Sequence, residues 1–269
     1  MYINQLQAKP LLQYLKEIEK HREFIILLAY RGIKIKLKRT LAGKIWVILN
    51  PLVNIAIYTI FFKLIVKVDW ADGSYLSYLF SGFCIWNLFS AITIQGGAAL
   101  IHNQEIINKN PFPRIVVHIA LSLQIILEQF FFIIMVVIGV CLSYQPDIKM
   151  MLFILCSLIL TFLFSFSNAL LISILSLKNR DILQIIPVVF QVLVWFTPVF
   201  YPLSIISDKF QYLIYLNPIC GLLEMMRVGL GMISEVNWIA IVPTILIIPY
   251  FIFSVYFFKN REKDVPDFL

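Results

Sequence analysis

Glu128 is an acidic residue that falls deep inside an apolar stretch, with Gln124 and Gln129 beside it. A carboxyl in such a stretch is costly, so it serves either a proton relay or a buried helix contact. A relay usually strings several such groups together. One glutamate with two amides suits a hydrogen-bonded contact better. Other chemistry-bearing residues are spread thin. His21, His102 and His118 are scattered and form no HExxH or other metal-ligand spacing, so no metal site is expected. Cys84, Cys141, Cys156 and Cys220 stand singly among apolar residues, which suggests small buried hydrophobes and neither a zinc site nor a disulfide framework. A phosphate-cradling loop needs GxxxxGK[ST]. The Gly43-Lys44 pair has Lys38 where the first glycine belongs and Ile45 where Ser or Thr belongs. The chain is therefore not expected to be an enzyme, and any work with ATP needs a nucleotide held by another chain.

Three polar or broken segments remain as candidate functional elements. "HNQEIINKNPFPR", His102 to Arg114, can start as a short helix that Pro111 and Pro113 end. That shape suits docking of a soluble partner, and equally a plain turn. "NRDILQIIPVVFQVLVWFTPVFYP" opens with Asn179, Arg180 and Asp181, runs apolar, and breaks at Thr-Pro and Tyr-Pro. The segment from Pro202 to Glu235 then reads as two short apolar helices. Ser207 offers a cap before Asp208. Asn217 precedes Pro218 at a permitted first-turn position, and Glu224 and Arg227 are spaced to pair on one helix face. Two half-length helices dipping back into the membrane would explain the prolines, which turn the chain instead of letting it run into solvent.

These segments need a scaffold, and composition says which. The 269 residues are 61% hydrophobic and 14% charged, with a mean hydropathy of +0.88, whereas soluble domains carry about 25% charged residues. An all-α polytopic membrane protein is expected. Six apolar stretches can cross, near 45–63, 77–100, 115–143, 150–176, 183–201 and 237–258. The second is the least hydrophobic, with Asn87, Gln95, Gly96 and Gly97, while Asn50, Pro51 and Asn54 interrupt the first. Residues 1–23 are polar, so no cleavable signal peptide is expected.

Orientation follows the cations. With both termini cytoplasmic, the inner side holds ten Lys and Arg up to Lys44, and Lys109, Arg114, Lys178, Arg180, Lys259, Arg261 and Lys263. Lys63, Lys67, Lys149, Lys209 and Arg227 fall outside. The net charge of +7 then reflects anionic lipid, and no nucleic-acid partner is expected. The chain divides into a cytoplasmic or interfacial segment 1–44, a six-span bundle 45–258 and a tail 259–269. Leu11, Leu15, Ile18, Ile25 and Ala29 share a face of an amphipathic helix at the membrane interface. "IKIKLKR" alternates with period two, a strand signal. A lone strand at a membrane surface is poorly satisfied, and a basic interfacial segment is preferred.

In combination, "KRTLAGKIWVILNPL", "LFSGFCIWNLFS", "NRDI…QVLVWFTPVFYP", "YLNPICGLLEMMR" and "KNREKDVPDF" resemble the membrane subunit of bacterial ABC polysaccharide exporters, the O-antigen and capsule exporters and their teichoic-acid relatives. The likeness covers nearly the whole chain. The Ile-Lys alternation is more regular than in such relatives. The resemblance implies a dimer of this subunit in the inner membrane, two copies of a separate ATPase holding ATP and Mg, and no cofactor in this chain. It places a coupling helix at about Leu100 to Lys109, including His102, Asn103, Gln104 and Glu105. It sets Asn179, Arg180 and Asp181 near the ATPase as well, makes Ile205 to Met232 an outer gate bearing Asn217, Pro218, Glu224 and Arg227, and matches a third-span glutamate to Glu128.

The expected cargo is a lipid-linked polysaccharide threaded outward. Aromatic rings stack on the apolar CH faces of sugars without demanding one hydrogen-bond pattern, so they hold a moving polymer weakly at many registers. Trp86, Phe89, Trp195, Phe196 and Tyr201 are the path candidates, against a background of interfacial and lipid-facing aromatics. Two rival classes are a small-molecule efflux permease, which commonly carries a large external loop, and a membrane transferase for lipid-linked sugars, which needs a catalytic motif at a membrane face.

Overall fold

A computed structural model describes residues 10–38, 45–65, 75–143 and 147–268. Residues 39–44 of the basic entry, and the loop with Lys67, Asp69 and Asp72, lie outside the described residues, as do the side chains of Leu11, Asn50 and Pro51. The described residues contain helices and turns and no strand. In chain order the helices are α1 (Leu11–Lys20), α2 (Arg22–Lys38), α3 (Ile45–Thr59), α4 (Tyr75–Gly97), α5 (Ala99–His102), α6 (Gln104–Lys109), α7 (Ile115–Ser143), α8 (Ile148–Lys178), α9 (Ile182–Leu193), α10 (Asp208–Tyr215), α11 (Pro218–Gly229), α12 (Trp238–Ile245), α13 (Ile247–Arg261) and α14 (Val265–Phe268).

Each expected apolar stretch is helical. Tyr75–Gly97, Ile148–Lys178 and Trp238–Arg261 are long and apolar enough to cross a membrane, and the first of these has the lowest hydropathy, 1.4. Among the residues whose side chains are described, Leu52–Phe62, Ile115–Phe130 and Ile182–Phe196 are further apolar helical stretches, the second of them within α7. Proline explains the interruptions. Pro249 has no N–H for the Ile245 carbonyl and its ring crowds that oxygen, so the last apolar stretch breaks at Leu246 into α12 and α13. Pro198 pushes Thr197 out of the helical region, to φ −114° and ψ 132°, after a single 3₁₀ turn from Val194 to Phe196. The fifth stretch is therefore helical only to Phe196, short of the expected Tyr201.

Helix α8 is the mast of the bundle, packed against α4, α11 and α13. Its buried Ser157, Thr161, Ser165 and Ser173 return their hydroxyls to carbonyls three or four residues back. Small side chains let neighbours approach, and the polar atoms are satisfied within the helix. A Cβ on Gly96 would collide with Ala169, so α4 crosses α8 at close range. Ser176 Oγ donates to the Gly97 carbonyl at 3.0 Å, which holds the end of α4 against the end of α8.

Two large clusters make up most of the core, with smaller ones around Ile92 and Cys220. One joins Ile55, Phe83, Phe190, Val199, Phe200, Ile219 and Met226, around the chain turn at Pro198–Pro202. The other joins Tyr14, Ile18, Leu100, Ile107, Phe112, Val116, Ile174, Phe258 and Val265. This second cluster gathers both described ends of the chain, the 98–114 loop and the end of α8. We call it the base, and the opposite end the cap.

The N-terminal region departs from the expected pattern. His21 interrupts the helix, and the face buried on protein is Tyr14, Ile18, Ile25 and Ala29, whereas Leu15 is 47% exposed. Ile26, Leu27 and Tyr30 point away from the protein. The Ile-Lys alternation lies within α2. A helix satisfies its own backbone without a partner strand, and lysine stems can bend to serve apolar neighbours while their ammonium stays wet.

The closest approach at the cap is testable. A Cβ on Gly82 would strike the Val199 carbonyl and crowd Val199 Cγ1 at 3.1 Å. Gly82→Ala is expected to cost about 1–3 kcal/mol, the usual range for overpacking, read as a lower thermal midpoint of the purified protein. An unchanged midpoint would show that the turn does not press on α4.

Candidate functional site

At the base, the two loops expected to meet a partner lie at the same end of the bundle. His102, Gln104, Glu105 and Lys109 are exposed. Asn103 is half-buried at the joint between α5 and α6, where its amide donates to the Ala99 carbonyl at 2.9 Å. Pro111 and Pro113 follow, as expected, and Arg114 folds its guanidinium back to the Asn110 carbonyl at 3.0 Å. Asn179, Arg180 and Asp181 are all exposed, and Asn179 Oδ1 accepts the Asp181 N–H at 3.2 Å to shape the turn. Beside the first loop runs an open groove of about 390 Å³, lined by Arg31, Gly32 and Ile35 of α2, His102, Glu105 and Gln124 among others.

Below the loop sits a group the sequence did not single out. Glu262 is fully buried. Its Oε2 accepts the Tyr14 hydroxyl at 3.0 Å and the Arg114 N–H at 3.0 Å. Burial pushes its carboxyl up to about 7, against the opposing pull of Tyr14, Arg114 and Lys259. Burial also raises the Tyr14 hydroxyl well above its ordinary range, helped by the Glu262 charge, and lowers Arg114.

Glu128 is a helix contact in this structure. Lys36 Nζ meets its Oε2 at 2.6 Å, and Gln124 Nε2 donates to its Oε1 at 2.9 Å. The carboxylate thus ties α2 to α7. Lys36 keeps 57% of its side chain exposed.

The cap is built on the Thr-Pro-Val-Phe-Tyr-Pro turn. Arg227 is buried, donates to the Pro198 carbonyl at 2.6 Å and lies 3.6 Å from the centre of the Tyr78 ring. Tyr78 donates to the Tyr201 carbonyl at 2.7 Å, and Tyr75 donates to the Phe200 carbonyl at 3.1 Å. Asn217 caps α11 by accepting the Ile219 N–H at 3.1 Å, with Pro218 in the first turn, as its position in the sequence suggests. Its amide also donates to Thr197 Oγ1 at 3.1 Å. Two expectations change. Glu224 accepts the Asn237 N–H at 2.8 Å and Arg227 donates to the Pro198 carbonyl, so each is held by a backbone group and they attract one another without a direct ion pair. Ser207 precedes α10 but makes no side-chain capping bond.

The aromatic candidates separate into two sets. Trp86 and Phe89 are buried. Phe89 stacks on Phe164 with centroids 5.3 Å apart, and both Trp86 and Phe89 meet Phe190. They fill the contact between α4, α8 and α9. Trp195 and Phe196 are 51% and 65% exposed. Tyr201 is half-buried and its hydroxyl donates to the Trp195 carbonyl at 2.7 Å. With Ile185, Val188, Val189 and Val192, all exposed, the first pair ends an apolar stripe along α9.

Comparison with known proteins fits this architecture. Two O-antigen export system permease proteins named RfbA, from Klebsiella pneumoniae, are 27% and 24% identical to this chain over 75% of its length and 77% of theirs. Another protein of that name, from Myxococcus xanthus, is 24% identical over 79% of this chain and 82% of its own. A family description, the ABC-2 type transporter, matches residues 23–231, which take in both base loops, Glu128 and the whole cap turn. The chain belongs to the ABC-2 type transporter family.

Proposed function

We propose that this chain is the transmembrane subunit of an ATP-driven exporter that moves a lipid-linked polysaccharide, of O-antigen or capsule type, out of the cytoplasm across a bacterial inner membrane. The observation that carries the reading is the likeness to O-antigen export permeases over three quarters of the chain, in a member of the ABC-2 type transporter family. Six spans with both termini cytoplasmic agree with the cation distribution and with both described ends lying at the base. The working unit is two copies of this chain with two copies of an ATPase, which holds ATP and Mg.

The base loops would then receive the stroke. α5, α6 and the Asn179–Asp181 turn offer polar, exposed groups at one end of the bundle, and α4 and α8 carry their displacement onward. α10 and α11 re-enter the outer leaflet and gate the exit, with Asn217 and Arg227 holding the gate to the turn at Thr197–Pro198, Pro218 opening α11, and Glu224 tying α11 to the Asn237 N–H before α12. Trp195, Phe196 and Tyr201 present ring faces to the passing sugar, and Trp86 and Phe89 hold α9, which leads to them, through Phe190. Binding of this kind is weak at each register, as conduction requires.

Replacing Arg180 and Asp181 together by alanine is expected to lower surface glycan by about 5–150-fold, the span of a typical coupling free energy, while hydrolysis by the partner continues. Surface glycan at the normal level would remove this turn from the stroke. Trp195→Ala with Phe196→Ala, at exposed positions where little packing is lost, should slow glycan export about 5–150-fold, as expected for losing two aromatic contacts of about 0.5–1.5 kcal/mol each, with the complex still assembled. Unchanged export would take both rings off the path. A strain lacking the gene that keeps its surface glycan and becomes drug-sensitive would point to small-molecule efflux instead.

A further inference from the structure

Tyr14, Arg114 and Glu262 come from the first helix, the exit of the base loop and the tail after α13, yet one carboxylate oxygen joins them. We propose that Glu262 is a positioning residue for coupling: it locks α1, the 102–114 loop and the end of α13 into one body, so that a push on the loop moves the third and last spans and the N-terminal helix together. This rests on the export reading above, in which an ATPase supplies the push.

The geometry argues for a latch and against a mere space-filler. Glu262 and Tyr14 are both 0% exposed, and the two donors converge on Oε2, each at 3.0 Å. An apolar side chain would fill the same volume without the cost of burying an ionisable group. What the carboxylate adds is direction, since two charge-assisted hydrogen bonds fix both neighbours relative to it. One donor is a backbone N–H at the first residue after the proline-ended loop, so the bond holds the chain itself and not a flexible side chain. The surroundings keep the contact dry. Phe24 packs on Phe112 with centroids 5.1 Å apart, and Ile107, Phe258 and Val265 are buried in the same cluster.

The charged and titratable groups facing Glu262 are Tyr14 from α1, Arg114 from the loop exit and Lys259 from the last turn of α13. Lys259 Nζ lies 5.8 Å from the Tyr14 ring centre. The Arg114 guanidinium is turned towards Asn110. With the carboxyl pushed up to about 7, it is the carboxylate above that pH and the acid below. Losing the charge weakens both hydrogen bonds, because each donor then meets a neutral oxygen. Coupling should therefore loosen as pH falls through this range.

The test uses the permease reconstituted with its ATPase in lipid vesicles, measuring ATP hydrolysed and glycan transported at about pH 8 and about pH 6. Glu262→Gln keeps the shape and removes the charge. It is expected to lower glycan transported per ATP roughly tenfold at the higher pH, the scale of losing hydrogen bonds to a charged group. The variant should then be insensitive to pH where the wild type falls towards it. Tyr14→Phe, which removes a single oxygen, should act in the same direction, and the double variant should be little worse than either single one. Hydrogen exchange supplies a readout independent of cargo: the Arg114 amide and the 102–109 loop should exchange faster in Glu262→Gln. Unchanged exchange overturns the latch whatever is transported. So do variants that move glycan per ATP as the wild type does. A wild-type complex that shows the protected Arg114 amide but moves no glycan would overturn the export reading and leave the latch standing.

Discussion

The carbonyl oxygens of Pro198, Phe200 and Tyr201 lie beyond the last turn of a helix, in surroundings where little but protein can bind them. Leaving such a group buried without a donor costs about 1–3 kcal/mol. Each has a donor: Arg227 for the first, Tyr75 for the second, Tyr78 for the third. Because the donors sit on α4 and α11, satisfying the turn also fixes those helices against it. Gly82 then lets the turn lie on α4 without a side chain between them. The two prolines thus set the shape of the cap. They free the carbonyls, and the need to bind those carbonyls assembles the helices that cover the turn.

The same rule operates at the base with different residues. Pro111 and Pro113 interrupt the loop, and the Arg114 N–H that follows is received by Glu262. The Arg114 side chain returns to Asn110. Here the acceptor is ionisable and the donors are a hydroxyl and an amide, so the strength of the joint depends on charge. At the cap the acceptors are backbone carbonyls, which carry no titratable proton. One end is fixed and the other adjustable. That asymmetry suits the proposed export cycle, in which the stroke would be delivered at the base and the cap would keep its form while it opens and closes.

Much of this was legible in sequence because prolines, asparagines and apolar runs act locally. The apolar stretches are helical over most of their length, the fifth only to Phe196, Asn217 and Pro218 start α11, and Pro111 with Pro113 end the loop. What could not be read is pairing at a distance. Tyr14 and Glu262 are 248 positions apart, and Lys36 and Glu128 are 92 apart. A charged tail also looks like a solvated end, so nothing local marks Glu262 as buried. Glu224 and Arg227 mislead for the opposite reason. Their spacing satisfies a local rule, but backbone groups freed by Pro198 and by the turn at Asn237 compete for them and win, because those groups have fewer alternatives. A period-two signal fails at α2 on similar grounds, since a chain at an apolar surface closes its own backbone bonds before it sorts its side chains.

The two ends are joined by α4 more directly than by any loop. It has 23 residues, hence about 34 Å at the usual rise, and it starts among the cap donors Tyr75 and Tyr78 and ends where Ser176 grips Gly97. The α5–α6 loop continues from that end. A displacement of the loop therefore acts on one end of a stiff rod whose other end holds the Phe200 and Tyr201 carbonyls. Coupling between distant sites needs elements with more than one packed arrangement. Along this rod α4 meets α8 closely through small or flat groups: Gly96 lies against Ala169, and the Phe89 and Phe164 rings stack 7° from parallel. Interlocked side chains would resist sliding, whereas small residues and parallel rings permit it at little cost in lost contact. The polar joints at either end, with the Thr93 hydroxyl on the Ser165 carbonyl at 3.5 Å between them, keep the rod attached, and in the proposed export cycle the small and parallel contacts are where it would slide.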